Sequence, residues 1–333
     1  MVEEKSSRQI DMPLLHSPYR PPLHLFNGHL QTIVPSLFRK VEGVQYKRET
    51  IPTSDDDCLD IDWLKNDSKK LIIISHGLEG NTSRHYVKGM AKYFRLRKWD
   101  VLAWNCRGCG GSINKTPRLY HHAATEDLHQ VVMHALSQDQ YETIVLIGFS
   151  MGGSMTLKYL GEEKYPASKE IKASVVFSVP CDLKSSSRAL DKFSNAFYRN
   201  RFLKKLKKKL VLKAEQFPDS FDVSNFDTIK SFTVFDNRYT APLHGFKDAD
   251  DFYTQASATR YLPALGIPTL IVNAKNDPIL APECFPYALA ERLSKIYFET
   301  PRHGGHGGFP LQGKEENWMD VRAFEFLREV VGH

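Results

Sequence analysis

Long apolar runs are absent from this sequence. No segment approaches ~18 consecutive apolar residues, the length that a membrane-spanning helix requires. Residues 1–15, MVEEKSSRQIDMPLL, lack the apolar centre of a signal peptide, so we expect neither a secretory leader nor a membrane anchor there. The five cysteines are odd in number and scattered, which predicts a reducing, cytoplasmic setting without a disulfide framework. The net charge of +6 is too modest to indicate a nucleic-acid partner.

Short apolar strands alternate with helices along most of the chain. The predicted strands cover residues 71–74, 100–104, 143–147, 173–179, 269–273 and 296–299, and the predicted helices cover about 84–95, 125–136, 151–160, 284–293 and 318–330. Two earlier strands, at 44–50 and 59–63, form a predicted hairpin around an acidic turn. Apolar strands separated by helices predict an α/β fold with a mostly parallel central sheet and helices on both faces.

The alternation stops between residues 181 and 264, where the pattern is helical and irregular. We therefore predict four parts. They are an N-terminal arm packing on the core (1–43), the first part of the core (44–180), a lid or cap insertion (181–264) and the second part of the core (265–333). The insertion is expected to lie over the carboxyl ends of the strands.

The most informative stretch is TIVLIGFSMG, at residues 143–152. A β-branched strand here runs into the pattern G-x-S-x-G around Ser150, and a helix that we expect Gly161 to close follows it. This is the context of a nucleophile elbow, in which a sharp turn lifts the serine hydroxyl clear of the sheet. We expect glycine at 148 and 152 because a Cβ there would collide with the serine.

A serine nucleophile needs a histidine to accept its proton and a carboxylate to orient that histidine. After such an elbow the acid precedes the histidine along the chain. Asp277 follows the predicted strand 269–273, and His306 follows the predicted strand 296–299. We predict that these two complete the constellation, with Asp182 as the reserve acid and His303 as the reserve base.

An acyl-transfer site also needs two backbone N–H groups for the developing oxyanion. The first is predicted at Met151, directly after the nucleophile, and the second at Leu78, in the loop after the strand 71–74. We expect the neighbouring Glu79 to be structural, because a carboxylate beside the oxyanion would oppose its charge.

Several motifs extend this pattern over nearly the whole chain. They are FNGHLQT at 26–32, HGLEG at 76–80, CRGCGGS at 106–112, GFSMGG at 148–153, YTAPLHGFKD at 239–248, NDP at 276–278 and GGHGGF at 304–309. In these motifs the chain resembles the α/β-hydrolase superfamily, and specifically its YheT-like branch of predicted esterases. The resemblance implies a charge-relay triad of Ser150, Asp277 and His306. The branch includes carboxylesterases, phospholipase-like membrane enzymes and acyltransferases that make fatty acid ethyl esters.

Two shorter patterns have competing interpretations. Cys106 and Cys109 form a C-x-x-C, but no second ligand pair accompanies them, so a tight loop is favoured over redox or metal chemistry. His122 and Asp127 form the H-x-x-x-x-D pattern seen in acyltransferases. We favour a structural role for Asp127, as a cap or buttress of the helix that begins there.

Residues 199–213, RNRFLKKLKKKLVLK, place Leu203, Leu206 and Leu210 on one face of a basic helix. This helix could lie on an anionic membrane surface, or it could be a lid helix that packs its leucines on the core, which we favour. Aromatic residues of the same insertion either line an acyl pocket or pack within the lid; they are Phe193, Phe197, Tyr198 and Phe202.

Three functional hypotheses follow. The first is a serine carboxylic-ester hydrolase that forms an acyl-enzyme on Ser150, needs no metal or cofactor, and takes small-molecule esters with short- to medium-chain or lipid-like acyl groups. The second is an acyltransferase with the same triad, in which an alcohol accepts the acyl group. The third is a non-catalytic binding protein on a hydrolase scaffold, against which the filled triad positions argue.

Overall fold

The computed structural model describes residues 14–166 and 168–332. Of the predicted N-terminal arm, residues 1–13 lie outside this description, as does most of the segment considered for a signal peptide. The described strands are β1 (Leu14–Leu15), β2 (Lys47–Pro52), β3 (Cys58–Leu64), β4 (Lys70–Ser75), β5 (Asp100–Trp104), β6 (Thr143–Phe149), β7 (Ile171–Phe177), β8 (Thr269–Val272) and β9 (Ile296–Glu299).

These strands form one sheet in the order β1-β9-β8-β7-β6-β4-β5-β3-β2. The pairs that involve β3 are antiparallel, and the other pairs are parallel. The chain runs from β4 to β5 on one side and then to β6 on the other side of β4. Neighbouring loops diverge at such a reversal, which is where open α/β sheets bind ligands, at the carboxyl ends of the strands.

The described helices are α1 (Gly28–Phe38), α2 (His85–Arg95), α3 (Thr125–Leu136), α4 (Met151–Gly161), α5 (Leu183–Asp191), α6 (Ala196–Gln216), α7 (Phe232–Phe235), α8 (Ala241–His244), α9 (Ala249–Ala256), α10 (Tyr287–Ala290) and α11 (Trp318–Val330). Between β7 and β8 every regular element is helical, including short 3₁₀ turns and a π-helical turn at Asp236–Thr240.

Alternate residues of the central strands face opposite layers of helices. Ile72 and Ile74 of β4 pack in a buried cluster with α2 and α11, whereas Leu71 and Ile73 pack in a second cluster with α3 and α4. Successive side chains of a strand point to opposite faces, so a strand that is apolar throughout must be covered on both sides. The predicted fold class, a mostly parallel sheet between helices, is confirmed.

Two local predictions were wrong. The helix predicted at 284–293 is reduced to α10 and a 3₁₀ turn, because Pro286 has no amide hydrogen and holds Phe285 outside the helical region. Gly161 is the last residue of α4 and is not in a left-handed conformation. A Cβ there would lie 2.3 Å from the carbonyl oxygen of Tyr261, so glycine is needed for close packing.

The basic helix α6 packs its leucines inward. Leu203, Leu206 and Leu210 are buried in a cluster formed mainly by residues between β7 and β8. Lys209 and Lys213 of the same helix are also buried. The leucine face therefore contacts protein, as expected of a packed helix.

Arg107, in the C-x-x-C loop, is a buried cation that sequence reasoning missed. Its guanidinium bonds Asp127 of α3 at 2.7 Å, and Asp55 and Asp57 of the β2–β3 turn at 2.8 and 2.9 Å. Burial alone would raise the pKa of Asp55, but hydrogen bonds from Arg107 and Thr53 outweigh it and lower this pKa to about 2. The loop therefore fastens the hairpin to α3, while Cys106 and Cys109 are free thiols.

We expect Arg107→Gln to lower the free energy of unfolding by about 3–5 kcal/mol, because it leaves buried carboxylates without their cation. The measurement is urea unfolding at neutral pH. Lys69→Gln is the control, since Lys69 and Glu142 form an exposed pair that we expect to contribute less than about 1 kcal/mol. Equal losses in the two variants would show that the Arg107 cluster is not a structural fastening.

Candidate active site

Ser150 lies in the sharp turn between β6 and α4. Its φ of +53° and ψ of −118° are unusual for a residue with a side chain. The Ser150 amide donates to the carbonyl oxygen of Phe177 at 2.9 Å, which ties the turn to the end of β7. Such strain persists only where the surroundings fix it, and it occurs often at functional sites.

The elbow glycines are required by neighbouring backbone more than by the serine itself. A Cβ on Gly148 would lie 2.6 Å from the carbonyl oxygen of Gly152, at the start of α4. A Cβ on Gly152 would lie 2.3 Å from the carbonyl oxygen of Ser75, at the end of β4. The expected collision is present, but its partners are α4 and the adjacent strand.

The structure brings Ser150, His306 and Asp277 into one hydrogen-bonded chain. His306 Nε2 lies 2.9 Å from Ser150 Oγ, and His306 Nδ1 lies 2.8 Å from Asp277 Oδ2. A carboxylate only accepts hydrogen bonds, so Nδ1 carries the proton and Nε2 is free to accept one from the serine. Asp277 is buried, and its other oxygen accepts from the amide of Ile279 at 2.8 Å.

The reserve residues do not join this chain. Asp182 caps α5 by accepting from the amide of Ser185 at 2.8 Å. His303 has a buried Nδ1 with no hydrogen-bond partner in the described part of the chain. Neither bonds to Ser150 or His306.

Helix α1 fixes the loops of the acid and the histidine, a role that the sequence did not reveal. Gln31 Oε1 accepts from the Gly304 amide at 2.7 Å and from Asn276 Nδ2 at 2.9 Å. Thr32 Oγ1 accepts from the amide of His306 at 2.8 Å. The only sequence signal was the FNGHLQT motif, which places these two polar residues in the first turns of a helix capped by Asn27.

Glycine allows α1 to approach these loops closely. A Cβ on Gly28 would lie 1.9 Å from the carbonyl oxygen of Asn276, and a Cβ on Gly308 would lie 1.9 Å from that of Gln31. The backbone of α1 is therefore in direct contact with the loops that carry Asp277 and His306.

The loop after β4 contains Leu78, which lines the site beside Ser150. Neighbouring amides are occupied: Gly77 donates to Tyr86 Oη, Glu79 to Tyr120 Oη, and Gly80 to the carbonyl oxygen of Gly77. The Leu78 amide has no acceptor among the described residues. Met151 begins α4, where an amide has no acceptor within the helix. Both predicted oxyanion donors are thus available near Ser150.

A buried histidine holds this loop in place. His76 Nε2 accepts from the Cys106 amide at 3.0 Å, so Nδ1 carries the proton and donates to the Gly77 carbonyl oxygen at 2.7 Å. Burial lowers the pKa of His76 to about 4, so the ring is neutral at neutral pH. The ring therefore acts as a fixed bridge between the loops after β4 and β5.

Glu79 is held by the basic helix, as a structural residue would be. Its carboxylate accepts from Lys209 Nζ at 2.9 Å and from the Tyr120 hydroxyl. Its carbonyl oxygen accepts from Lys205 Nζ at 3.0 Å. The φ of Glu79 is +53°, so these contacts hold a strained turn next to the Leu78 amide.

Two cavities meet at Ser150 and His306. The first, which we call the apolar chamber, has a volume of about 740 Å³ including the solvent at its mouth. It is lined mainly by α5, α6, α7, the π-helical turn and α9, including Leu190, Leu206 and Phe252. The second, which we call the open cavity, has a volume of about 950 Å³ and lies between α1, the loop after β4 and the start of α6.

The aromatic residues of the insertion and the His122–Asp127 pattern, which the sequence analysis singled out, take different positions relative to these cavities. Phe202 lines both cavities, Phe197 and Tyr198 line only the open one, and Phe193 is exposed. His122 lines the apolar chamber with an unpartnered Nδ1, whereas Asp127 bonds Arg107. These two residues do not form a His–Asp pair.

No helix in residues 14–166 or 168–332 combines the length and apolar character needed to cross a membrane.

Comparisons with known proteins agree with this geometry. A family model described as the alpha/beta hydrolase fold matches residues 70–311. The chain is 30% identical to the putative esterase YheT of Escherichia coli, with 90% of each chain covered. It is 29% identical to phospholipase ABHD3 of Bos taurus, over 96% of this chain and 80% of the relative.

A solved structure supports the same fold. The Pyrococcus furiosus esterase Pf2001 superimposes with a TM-score of 0.58, at 19% identity, over 87% of this chain and 92% of the esterase. This identity is low enough that the likeness concerns the fold alone. Together with the family match and the similarity to YheT, it shows that the chain belongs to the α/β-hydrolase fold family, in the group that includes YheT.

Proposed function

We propose that this chain is a serine esterase that hydrolyses carboxylic esters through an acyl-enzyme on Ser150. The observation that carries the proposal is the continuous hydrogen-bonded chain from Ser150 through His306 to Asp277. Relatives named as an esterase, a phospholipase and a monoacylglycerol lipase support ester hydrolysis as the reaction class.

In the first step the Ser150 oxygen attacks the ester carbonyl carbon while His306 Nε2 takes the hydroxyl proton. The carbonyl oxygen becomes an oxyanion, which the amides of Leu78 and Met151 stabilise by hydrogen bonding. Asp277 stabilises the imidazolium through Nδ1. The carbon–oxygen bond to the alcohol then breaks, and Nε2 returns its proton to the departing alcohol.

In the second step water attacks the acyl-enzyme by the same route, releasing the free acid and restoring the Ser150 hydroxyl. An alcohol that reached the acyl-enzyme first would give an ester instead. We propose hydrolysis as the main outcome because relatives are named as an esterase, a phospholipase and a monoacylglycerol lipase.

We propose that the apolar chamber holds the acyl chain. Four of its polar residues bond one another: Asp236 accepts from Thr240 Oγ1 at 2.6 Å and from Tyr253 Oη at 2.8 Å, and Tyr253 Oη lies 3.0 Å from Ser187 Oγ. The remaining lining suits an apolar chain, so short- to medium-chain or lipid-like acyl esters are the proposed substrates. Residues 181–264 would then act as the lid that selects the acyl group.

We also propose a reducing, cytoplasmic compartment. All five cysteines are free thiols, and Cys106 and Cys109 remain unbonded although they lie three residues apart in one loop.

We expect Ser150→Ala to lower kcat for p-nitrophenyl ester hydrolysis by about 10⁴-fold or more and to abolish labelling by a fluorophosphonate probe. Ser83→Ala, at an exposed serine, should keep both properties.

With ethanol added, wild type should release mainly free acid; ethyl ester as the main product would favour acyl transfer. Folded wild type that neither labels nor hydrolyses esters would point to a non-catalytic protein.

We expect Thr32→Val to lower kcat by about 10- to 100-fold, because the His306 amide loses its acceptor and the imidazole is no longer held in position. Thr254→Val is the matched control. The hydroxyls of Thr32 and Thr254 each donate to the carbonyl oxygen four residues earlier in their helix, but Thr254 lies in α9. Esterase kinetics and thermal unfolding are measured together. Equal kcat values in the two variants would show that Thr32 of α1 does not position His306.

We expect Leu190→Phe to shift acyl selectivity toward short chains, because Leu190 lines the apolar chamber and a larger side chain reduces its volume. The kcat/KM ratio of p-nitrophenyl octanoate to acetate should fall by about 10-fold. Leu212→Phe, at an exposed leucine of α6, should leave this ratio unchanged. An unchanged ratio in Leu190→Phe would place the acyl chain elsewhere.

A further inference from the structure

Three cationic side chains line the open cavity together with Ser150 and His306. Arg84 precedes α2, and Arg201 and Lys205 lie one turn apart on α6. The apolar chamber on the other side of the catalytic residues has none of these cations in its lining. The two cavities therefore differ in charge, although the same serine and histidine serve both.

No carboxylate of the described residues forms an ion pair with these three cations. The nearby carboxylate of Glu79 faces Lys209 instead. Lys205 Nζ and an Arg84 nitrogen share the carbonyl oxygen of Glu79, at 3.0 and 3.3 Å, which uses one donor of each and leaves the others unused.

The cations also act on one another. Burial and the charge of Arg84 lower the pKa of Lys205, and Arg201 adds to this effect, whereas the charge of Glu79 opposes it. Cations gathered in a partly buried cavity repel each other, and a bound anion would relieve that repulsion. Arginine guanidiniums match the oxygens of a phosphate particularly well.

We propose that the open cavity binds the alcohol part of the ester and that this alcohol carries a phosphate group. Arg84, Arg201 and Lys205 bind the phosphate. The inference rests on the proposed esterase function, because the ester carbonyl must lie at Ser150 with the acyl chain in the apolar chamber. The phosphate binds non-covalently and leaves with the alcohol. The three cations thus determine specificity and take no part in bond cleavage.

The test compares three soluble esters with one acyl chain: 1-octanoylglycerol, 1-octanoylglycerol 3-phosphate and 1-octanoylglycero-3-phosphocholine. Octanoate release by wild type should give a kcat/KM at least about 10-fold higher for a phosphate ester than for the neutral ester. The two phosphate esters distinguish a terminal phosphate from a phosphodiester headgroup, and a preference for either one supports the proposal.

Arg201→Gln should lower the ratio of kcat/KM for the preferred phosphate ester to that for the neutral ester by about 10-fold. Arg84→Gln, on a different element, should lower it in the same direction. Lys208→Gln is the matched control, because it removes one charge from α6 at an exposed position about 10 Å further along the helix and outside both cavities. Its ratio should equal that of wild type.

The outcomes separate this inference from the esterase proposal. Equal hydrolysis of neutral and phosphate esters by wild type would overturn the anion site and leave the esterase intact. If wild type hydrolysed none of these esters and no p-nitrophenyl ester, the esterase proposal itself would be wrong. An equal fall of the ratio in Arg201→Gln and Lys208→Gln would show that overall charge, and not this cluster, attracts the phosphate.

Discussion

The backbone conformation of Ser150 is the constraint on which the site depends. A residue with a side chain is held at φ +53° between β6 and α4, and only close packing on several sides can maintain such a turn. Gly148 allows α4 to begin directly against the strand, and Gly152 allows it to lie against the end of β4. The same packing brings the loop after β4 beside Ser150. The strained turn and the position of the proposed oxyanion donors thus have one structural cause.

His306 is positioned from both sides of its loop. Asp277 binds the ring, while Thr32 binds the backbone amide of the same residue. The loop is rich in glycine, which allows the close approach of α1 but leaves the loop with little rigidity of its own. Helix α1 supplies that rigidity through Gln31 and Thr32. We therefore regard α1 as part of the active-site scaffold.

Much of the fold and of the candidate site could be predicted from the sequence, because the informative signals are local. Apolar periodicity located the strands, and the order of Ser150, Asp277 and His306 followed from where their strands end. The remainder depends on contacts between distant segments. Thr32 and His306 are 274 residues apart, and Glu79 and Lys209 are 130 apart, so neither local pattern showed its partner. Where a prediction failed locally, at 284–293, the apolar pattern was followed without regard to Pro286.

Glu79 connects the residues proposed to recognise substrate with the loop that carries a proposed oxyanion donor. Its carboxylate binds Lys209 and its carbonyl oxygen binds Lys205 and Arg84, so α6 and the start of α2 hold one strained turn. That turn carries the Leu78 amide. An anion that drew Lys205 or Arg84 toward the open cavity would act on the same carbonyl oxygen, and through it on the oxyanion donor. In the proposed mechanism, binding of the alcohol part and stabilisation of the oxyanion are therefore mechanically linked through a single residue that itself performs no chemistry.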